Sequence, residues 1–171
     1  MVRFTKLLAA VTLVTVASLS AATAAESIVA GYIEPVRIYP GGLDIGAKLD
    51  TGAASSSLNV ARPEPFERGG KRYLRFNVVN RMGQSQTFER EVVRTARIRR
   101  AGAEINERPV VRLGICLGGI FKWSEVNLRD RSGMDFQMLI GRSFLARSVL
   151  VDSEAQNRTR PSCTAGETGS R

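Results

Sequence analysis

Asp50, Thr51 and Gly52 are the residues of this chain whose types and spacing fit catalysis best. They lie in the run Lys48-Leu49-Asp50-Thr51-Gly52-Ala53-Ala54-Ser55-Ser56-Ser57-Leu58, where an apolar strand end delivers a carboxylate into a turn of small residues. Such a turn suits hydrolysis by an activated water. One carboxylate takes a proton from the water, a carboxylic acid protonates the leaving amine, and two carboxyls sharing a proton do both. Gly52 gives the backbone freedom for a sharp turn and lets an amide approach the carboxylate. The Thr51 hydroxyl is placed to brace the turn from behind, and Ala53 and Ala54 keep a cleft floor open. The plainer alternative is a structural Asx turn capped by Asp50. The chain has no histidine. Ser-His and Cys-His nucleophile pairs are therefore excluded and the usual zinc ligands are missing, so carboxylates must carry most of any chemistry.

The elements that must position this turn read as strands. Residues 27–38 are extended, with a break near Pro35, and Pro40-Gly41-Gly42 is a turn. Tyr73-Leu74-Arg75-Phe76-Asn77-Val78 alternates apolar and polar, as a half-buried strand does. Residues 87–99 form one long bent strand, and residues 109–117 and 120–128 pair across Gly118-Gly119. Residues 136–140 are an apolar strand and 142–147 the one convincing helical turn, before Val149-Leu150-Val151 closes the sheet. Many short strands separated by glycine turns predict an all-β barrel or sandwich with one short helix near the C-terminus.

Residues 1–25 read as a signal peptide: Arg3 and Lys6 precede an apolar run from Leu7 to Leu19 and an Ala-rich end, a run short for a membrane span. The mature chain, with no transmembrane segment once the leader is removed, is then expected in the periplasm or secreted. The formal charge is +9, and loss of Arg3 and Lys6 leaves about +7. Such a surface favours acidic peptides, lipid headgroups or anionic glycans, and export argues against nucleic acid. Arg97, Arg99 and Arg100 read as a solvated strand edge. Cys116 and Cys163 either form a disulfide or leave Cys116 as a small buried residue. The domain is expected over residues 27–153, with a disordered polar tail over 154–171.

Downstream, Met138-Leu139-Ile140-Gly141-Arg142-Ser143-Phe144-Leu145 completes a resemblance. With the Asp-Thr-Gly turn it is similar to the closing segment of retropepsins, the single-lobe aspartic peptidases, in which an apolar-apolar-Gly-Arg stretch packs under the catalytic turn. The chain is more closely similar to bacterial retropepsin-like proteins that have long been labelled ATP-dependent zinc proteases, some of which accompany a ribosomal-protein glutamate ligase. The segments that carry this resemblance are Asp50-Thr51-Gly52-Ala53 with Ser56 or Ser57 and Leu58, Arg108-Pro109-Val110, Asn127-Leu128-Arg129-Asp130-Arg131, Met138 to Arg142, and Leu150-Val151-Asp152. It covers about residues 28 to 153. The resemblance implies a closed single-lobe barrel, Asp50, Thr51 and Gly52 as the catalytic turn, and Leu139, Ile140, Gly141 and Arg142 as its support. Two departures stand out. Many relatives carry histidine where this chain has Asn59. There is also no GxxxxGK[ST] loop, so no metal or cofactor is expected and neither word of that label has support here.

One lobe supplies one aspartate, so catalysis on a peptide or protein substrate requires a homodimer with Asp50 of each chain at a two-fold axis. A mobile hairpin should cover the cleft. The Gly83 turn, within residues 80–87, is the candidate flap, which turns Met82 and Phe88 toward substrate beside Ala53; the alternative for Phe88 is a core position. Asp130 and Asp135 read as surface turn residues, with Asp130 alternatively paired to Arg131 or Arg142. Asp152 reads as a cap, and Trp123 as a core or interface aromatic. The competing function is a non-catalytic binding module of the same fold with a basic cleft.

Overall fold

A ten-stranded sheet curls so that part of it closes into a barrel. The computed structural model describes residues 27–98, 105–130, 133 and 135–164; the expected signal peptide, Arg99, Arg100, Arg131 and residues 165–171 lie outside them. Ten strands and one helix follow in order: β1 (Ile28–Tyr39), β2 (Leu43–Leu49), β3 (Ser56–Asn59), β4 (Glu64–Arg68), β5 (Lys71–Val79), β6 (Ser85–Ile98), β7 (Asn106–Leu117), β8 (Ile120–Arg129), β9 (Met138–Ile140), α1 (Arg142–Leu145) and β10 (Val149–Gln156). They are ordered β10-β1-β2-β9-β3-β8-β7-β6-β5-β4, and pairing of β1 with β7 closes six of them into a barrel. This is the retropepsin-like all-β fold with one short helix. Ile38, Leu58, Leu113, Ile115, Leu117, Met138, Ile140 and Phe144 are fully buried within the barrel core. Among the described residues no helix is long and apolar enough to cross a membrane.

Three expectations change. Strand β1 runs unbroken through Pro35. It pairs with β10 up to Ile33 and with β7 from Arg37; Pro35 falls between these stretches, where a missing N–H removes no bond along that edge. The domain does not stop at 153. Strand β10 continues to Gln156, Asn157 N donates to the Ile33 carbonyl at 2.8 Å and Ser162 N to the Gly118 carbonyl at 2.8 Å. The segment expected to be a disordered tail is thus bonded along residues 154–164. Cys116 and Cys163 form a disulfide that ties its end to β7. Asp152, expected as a cap at a strand end, lies within β10, its Oδ1 accepting from Glu154 N at 3.0 Å. Together with Arg158 this holds its carboxyl below the usual carboxylate range, the Glu154 amide being the larger cause.

The Gly83 turn is not a free hairpin. Asn80 Oδ1 accepts from Met82 N and Gln84 N, while Asn80 Nδ2 donates to the Asp44 carbonyl of β2 at 3.0 Å, fastening the turn to the barrel. Phe88, expected to face substrate, is 1% exposed and stacked on Phe76 at 5.5 Å between centroids. In β6 it shares the inward parity of the residues opposite it in β5, so it is core. Met82 is exposed at the tip of this turn. Arg97, read as part of a solvated strand edge, is exposed on β6 and pairs with Glu107 of β7 at 3.2 Å.

Candidate active site

The Asp turn is built where β2 and β3 part to admit β9. Leu43, Ile45, Ala47 and Leu49 point β2 into the core, and Leu49 pairs in parallel with Ile140. Strand β9 then pairs antiparallel with β3, Ser57 opposite Leu139. Asp50 emerges at this junction, its N–H donating to the Ile140 carbonyl at 2.9 Å. Its Oδ1 accepts from Gly52 N at 3.0 Å and Ala53 N at 3.1 Å. The carboxylate is therefore fixed in direction by two backbone amides and partly exposed at the cleft. A methyl group on Gly52 would lie 3.2 Å from Asp50 Oδ1, so the carboxylate would have to give by a few tenths of an ångström.

Helix α1 clamps the turn from beneath. Its first N–H groups have no partners within the helix. They are satisfied by the turn: Arg142 N donates to Ala53 O at 2.9 Å and Ser143 N to Ala54 O at 3.1 Å. Arg142 Nη1 donates to the carbonyls of Thr51 (2.9 Å) and Gly52 (2.8 Å). The bracing expected from the Thr51 hydroxyl is thus supplied by Arg142, and the Thr51 side chain is exposed. Arg142 is engaged with the turn rather than with Asp130. At the other end of the helix Lys122 Nζ donates to Phe144 O at 2.6 Å; burial holds its pKa below the ordinary lysine value.

Gly141 is the tightest point. Its N–H donates to the buried Ser56 Oγ at 3.1 Å, and a methyl group there would lie 2.5 Å from the Ser55 carbonyl carbon and 2.6 Å from its oxygen. Both obstacles are backbone, so they cannot swing away. Gly141→Ala is expected to cost about 3 kcal/mol and to lower the thermal midpoint by roughly 9 °C, read by calorimetry. An unchanged midpoint would mean that β3 and the helix start separate easily.

The cleft beside Asp50 holds about 650 Å³. Ala53, Ala54, Ser55 and Ser57 continue its floor from the turn, and Leu139 and Phe136 supply an apolar wall. Lys48, Arg108 and Arg129 bring positive charge to it, against the carboxylates of Asp50 and Asp135. Of the hairpins beside it, β6–β7 contributes Ile98 and Arg108, while the Gly83 turn contributes no lining residue. A second groove of about 770 Å³ continues past Ala54 and Ser55 to Trp123 and Arg94; Trp123 packs edge-on to Phe121 at 5.8 Å. Leu139 reaches the cleft, whereas Ile140 is wholly core. Sequence reasoning missed Lys48, Phe136 and the cleft position of Arg108. Their common signal is outward parity beside the Asp turn or a partner strand, visible only once the strand order is known.

The donor set does not fit a resident zinc ion: the sequence has no histidine, and both cysteines are joined to each other. Among the described residues no three His, Cys, Asp or Glu side chains cluster as metal ligands.

Comparison with known proteins agrees with this geometry. The chain is 32% identical over 111 residues to a probable alpha-L-glutamate ligase of Shewanella halifaxensis, covering 63% of this chain and 24% of that protein. It is 32% identical over 117 residues to a probable alpha-L-glutamate ligase of Parasynechococcus marenigrum, covering 67% of this chain and 25% of that protein. The matched part is thus about a quarter of each ligase. The crystal structure of a Legionella pneumophila protein of unknown function superposes with a TM-score of 0.68 at 33% identity, covering 79% of this chain and 100% of that one. Residues 29–161 match the family described as the retropepsin-like aspartic endopeptidase RimB. With that match over most of its length, and with the Asp turn clamped by the Gly-Arg segment within a closed barrel, the chain belongs to the RimB-like family of retropepsin-like aspartic endopeptidases.

Proposed function

We propose that this chain is an exported aspartic endopeptidase, active as a homodimer in which two copies of Asp50 face one another across a two-fold axis. The observation that carries the reading is the Asp50 carboxylate, aimed into a peptide-sized cleft and locked by the Gly52 and Ala53 amides. In the dimer one Asp50 is ionised and its partner protonated. The ionised carboxylate takes a proton from a water, whose oxygen attacks the peptide carbonyl carbon while the other Asp50 protonates the carbonyl oxygen. The resulting diol collapses: the C–N bond breaks, the amine takes a proton from the carboxyl that gained one from water, and the second carboxylate recovers the diol proton. No covalent enzyme intermediate and no further group is needed.

The lining favours substrates with acidic side chains. Lys48, Arg108 and Arg129 outnumber the carboxylates at the cleft, and two relatives are named as ligases of glutamate. The apolar run after Arg3 and Lys6 supports export to the periplasm or beyond. The same cationic lining would serve capture of an acidic peptide without cleavage. Digestion of a peptide library by the purified mature chain, from acid to neutral pH with products read by mass spectrometry, separates the two. Discrete cleavage sites enriched in nearby acidic residues are expected. Binding of acidic peptides that emerge intact at every pH would replace the peptidase with a binding module.

A further inference from the structure

The groove beyond the Asp50 cleft differs from it in kind. Ala54, Ser55 and Ile98 line both spaces, so the two form one channel. A peptide seated against Asp50 passes these residues before it reaches the end lined by Trp123. The charged side chains along this second groove are already matched within the protein. Arg94 Nε pairs with Glu125 at 2.7 Å, and Arg97 Nε with Glu107 at 3.2 Å. Lys122 Nζ donates to the Phe144 and Ala146 carbonyls at 2.6 and 3.4 Å. What the groove still offers a ligand is apolar surface: the half-buried Trp123 and Ile98, and the buried Ala96.

Trp123 is held ready for contact. Its partner across β7 is Gly114, and the Phe121 ring fills the space above that glycine: a methyl group on Gly114 would lie 2.7 Å from Phe121 Cζ. Trp123 meets the Phe121 ring edge-on at 5.8 Å, and the Arg90 guanidinium stands over the indole, 5.9 Å from the ring centroid. Arg90 Nε is buried with no hydrogen-bond partner, and the indole face is the guanidinium's compensating contact. An aromatic ring fixed in this way presents a large contact area and loses little freedom when a ligand packs on it.

Resting on the reading of the Asp50 cleft as a peptide-cleaving site, we propose that the second groove is a distal subsite in which Trp123, Ile98 and Ala96 receive one apolar side chain of the substrate, beyond the residues that adjoin the cut. Recognition along one peptide is then of two kinds: opposite charge near the scissile bond, and apolar burial farther out.

The test uses the mature chain and a cleaved peptide free of tryptophan, in which Leu replaces Ser at one position at a time, with kcat/KM measured for each. Burial of this side chain is expected to favour Leu by about 10- to 100-fold at one position away from the cut and only weakly at its neighbours. Trp123→Ala should bring that ratio close to 1, and Trp123→Phe should leave it in between. Trp123 is the single tryptophan of the chain, so its fluorescence gives a readout that does not depend on turnover. The Leu peptide, added to Asp50→Asn protein, should shift the emission to shorter wavelength as water leaves the ring, whereas the Ser peptide should not. If Trp123→Ala fails to fold, Trp123→Phe, the wild-type series and the fluorescence still decide. A Leu preference undiminished by loss of the indole, a preference for Glu over Leu at every distal position, or an emission that responds equally to both peptides or to neither overturns the proposal. Cleavage that requires Asp50 but ignores the distal residues overturns the proposal and leaves the peptidase reading standing. Absence of cleavage by wild-type protein refutes that reading, and the proposal with it.

Discussion

Asp50→Asn is expected to lower peptide cleavage on the order of 10³-fold while leaving the thermal midpoint within about 2 °C of wild type. The two parts of this prediction have separate causes. Asparagine keeps an oxygen at the Oδ1 position, where Gly52 N and Ala53 N donate at 3.0 and 3.1 Å, so the turn stays bonded as before. An amide, however, neither takes a proton from water nor gives one to a leaving amine. In a symmetric dimer the substitution removes both carboxyls at once. Asp50→Ala is the poorer probe, because it also leaves those two amides without their acceptor. Cleavage surviving in folded Asp50→Asn would assign Asp50 the purely structural role of an Asx turn.

The largest loss of stability is expected at a residue that does not line the cleft. Glu34 is wholly buried on β1. Its Oε1 accepts from Gly31 N (2.6 Å) and Arg158 N (2.9 Å), and its Oε2 from Thr159 N and Thr159 Oγ1, both at 2.9 Å. One carboxylate thus joins a bend in β1 to the C-terminal segment, 125 residues away in sequence. Glu34→Ala strands four donors beside a new cavity. Each unsatisfied buried group costs about 1–3 kcal/mol, with partial relief by water, so a total of about 4 kcal/mol is expected. For a domain of this size that lowers the midpoint by roughly 12 °C. Hydrogen exchange should localise the damage: amides of Arg158 and Thr159 lose protection first, while the barrel amides of β7 and β8 keep theirs. The Cys116–Cys163 disulfide continues to tether the segment, so it loosens without leaving. Uniform loss of protection would instead make Glu34 part of the core's own stability.

Glu34 also marks where reading the sequence runs out. The strands were legible wherever apolar residues alternate: β5 and β7 appear within a few residues of their ends, and so does the hairpin at Gly118-Gly119 between β7 and β8. The Asp turn and the Gly141-Arg142 segment were legible as a pair because the motif residues are themselves the contact. A buried glutamate among extended residues gives no such signal, since the donors it serves are polar tail residues with no pattern of their own. The same distance hid the order of residues 154–164. Phe88 failed for a different reason. A turn with Gly83 at its tip resembles a flap in composition, but the inward parity of Phe88 depends on its register opposite Phe76. Arg108 stood in a motif segment, yet its closeness to the Asp turn arises only through Asn127 on a third strand.

The central claim is that one active site uses Asp50 from two chains, and a mixing experiment tests it most directly. Wild-type and Asp50→Asn protein are combined in equal amounts at fixed total concentration, under conditions that let protomers exchange, and cleavage is measured. If both aspartates of a pair are needed, only dimers of two wild-type chains work, and random pairing leaves about one quarter of the all-wild-type activity. Activity falling only to about one half would mean that each chain cleaves with its own Asp50, and would contradict the account.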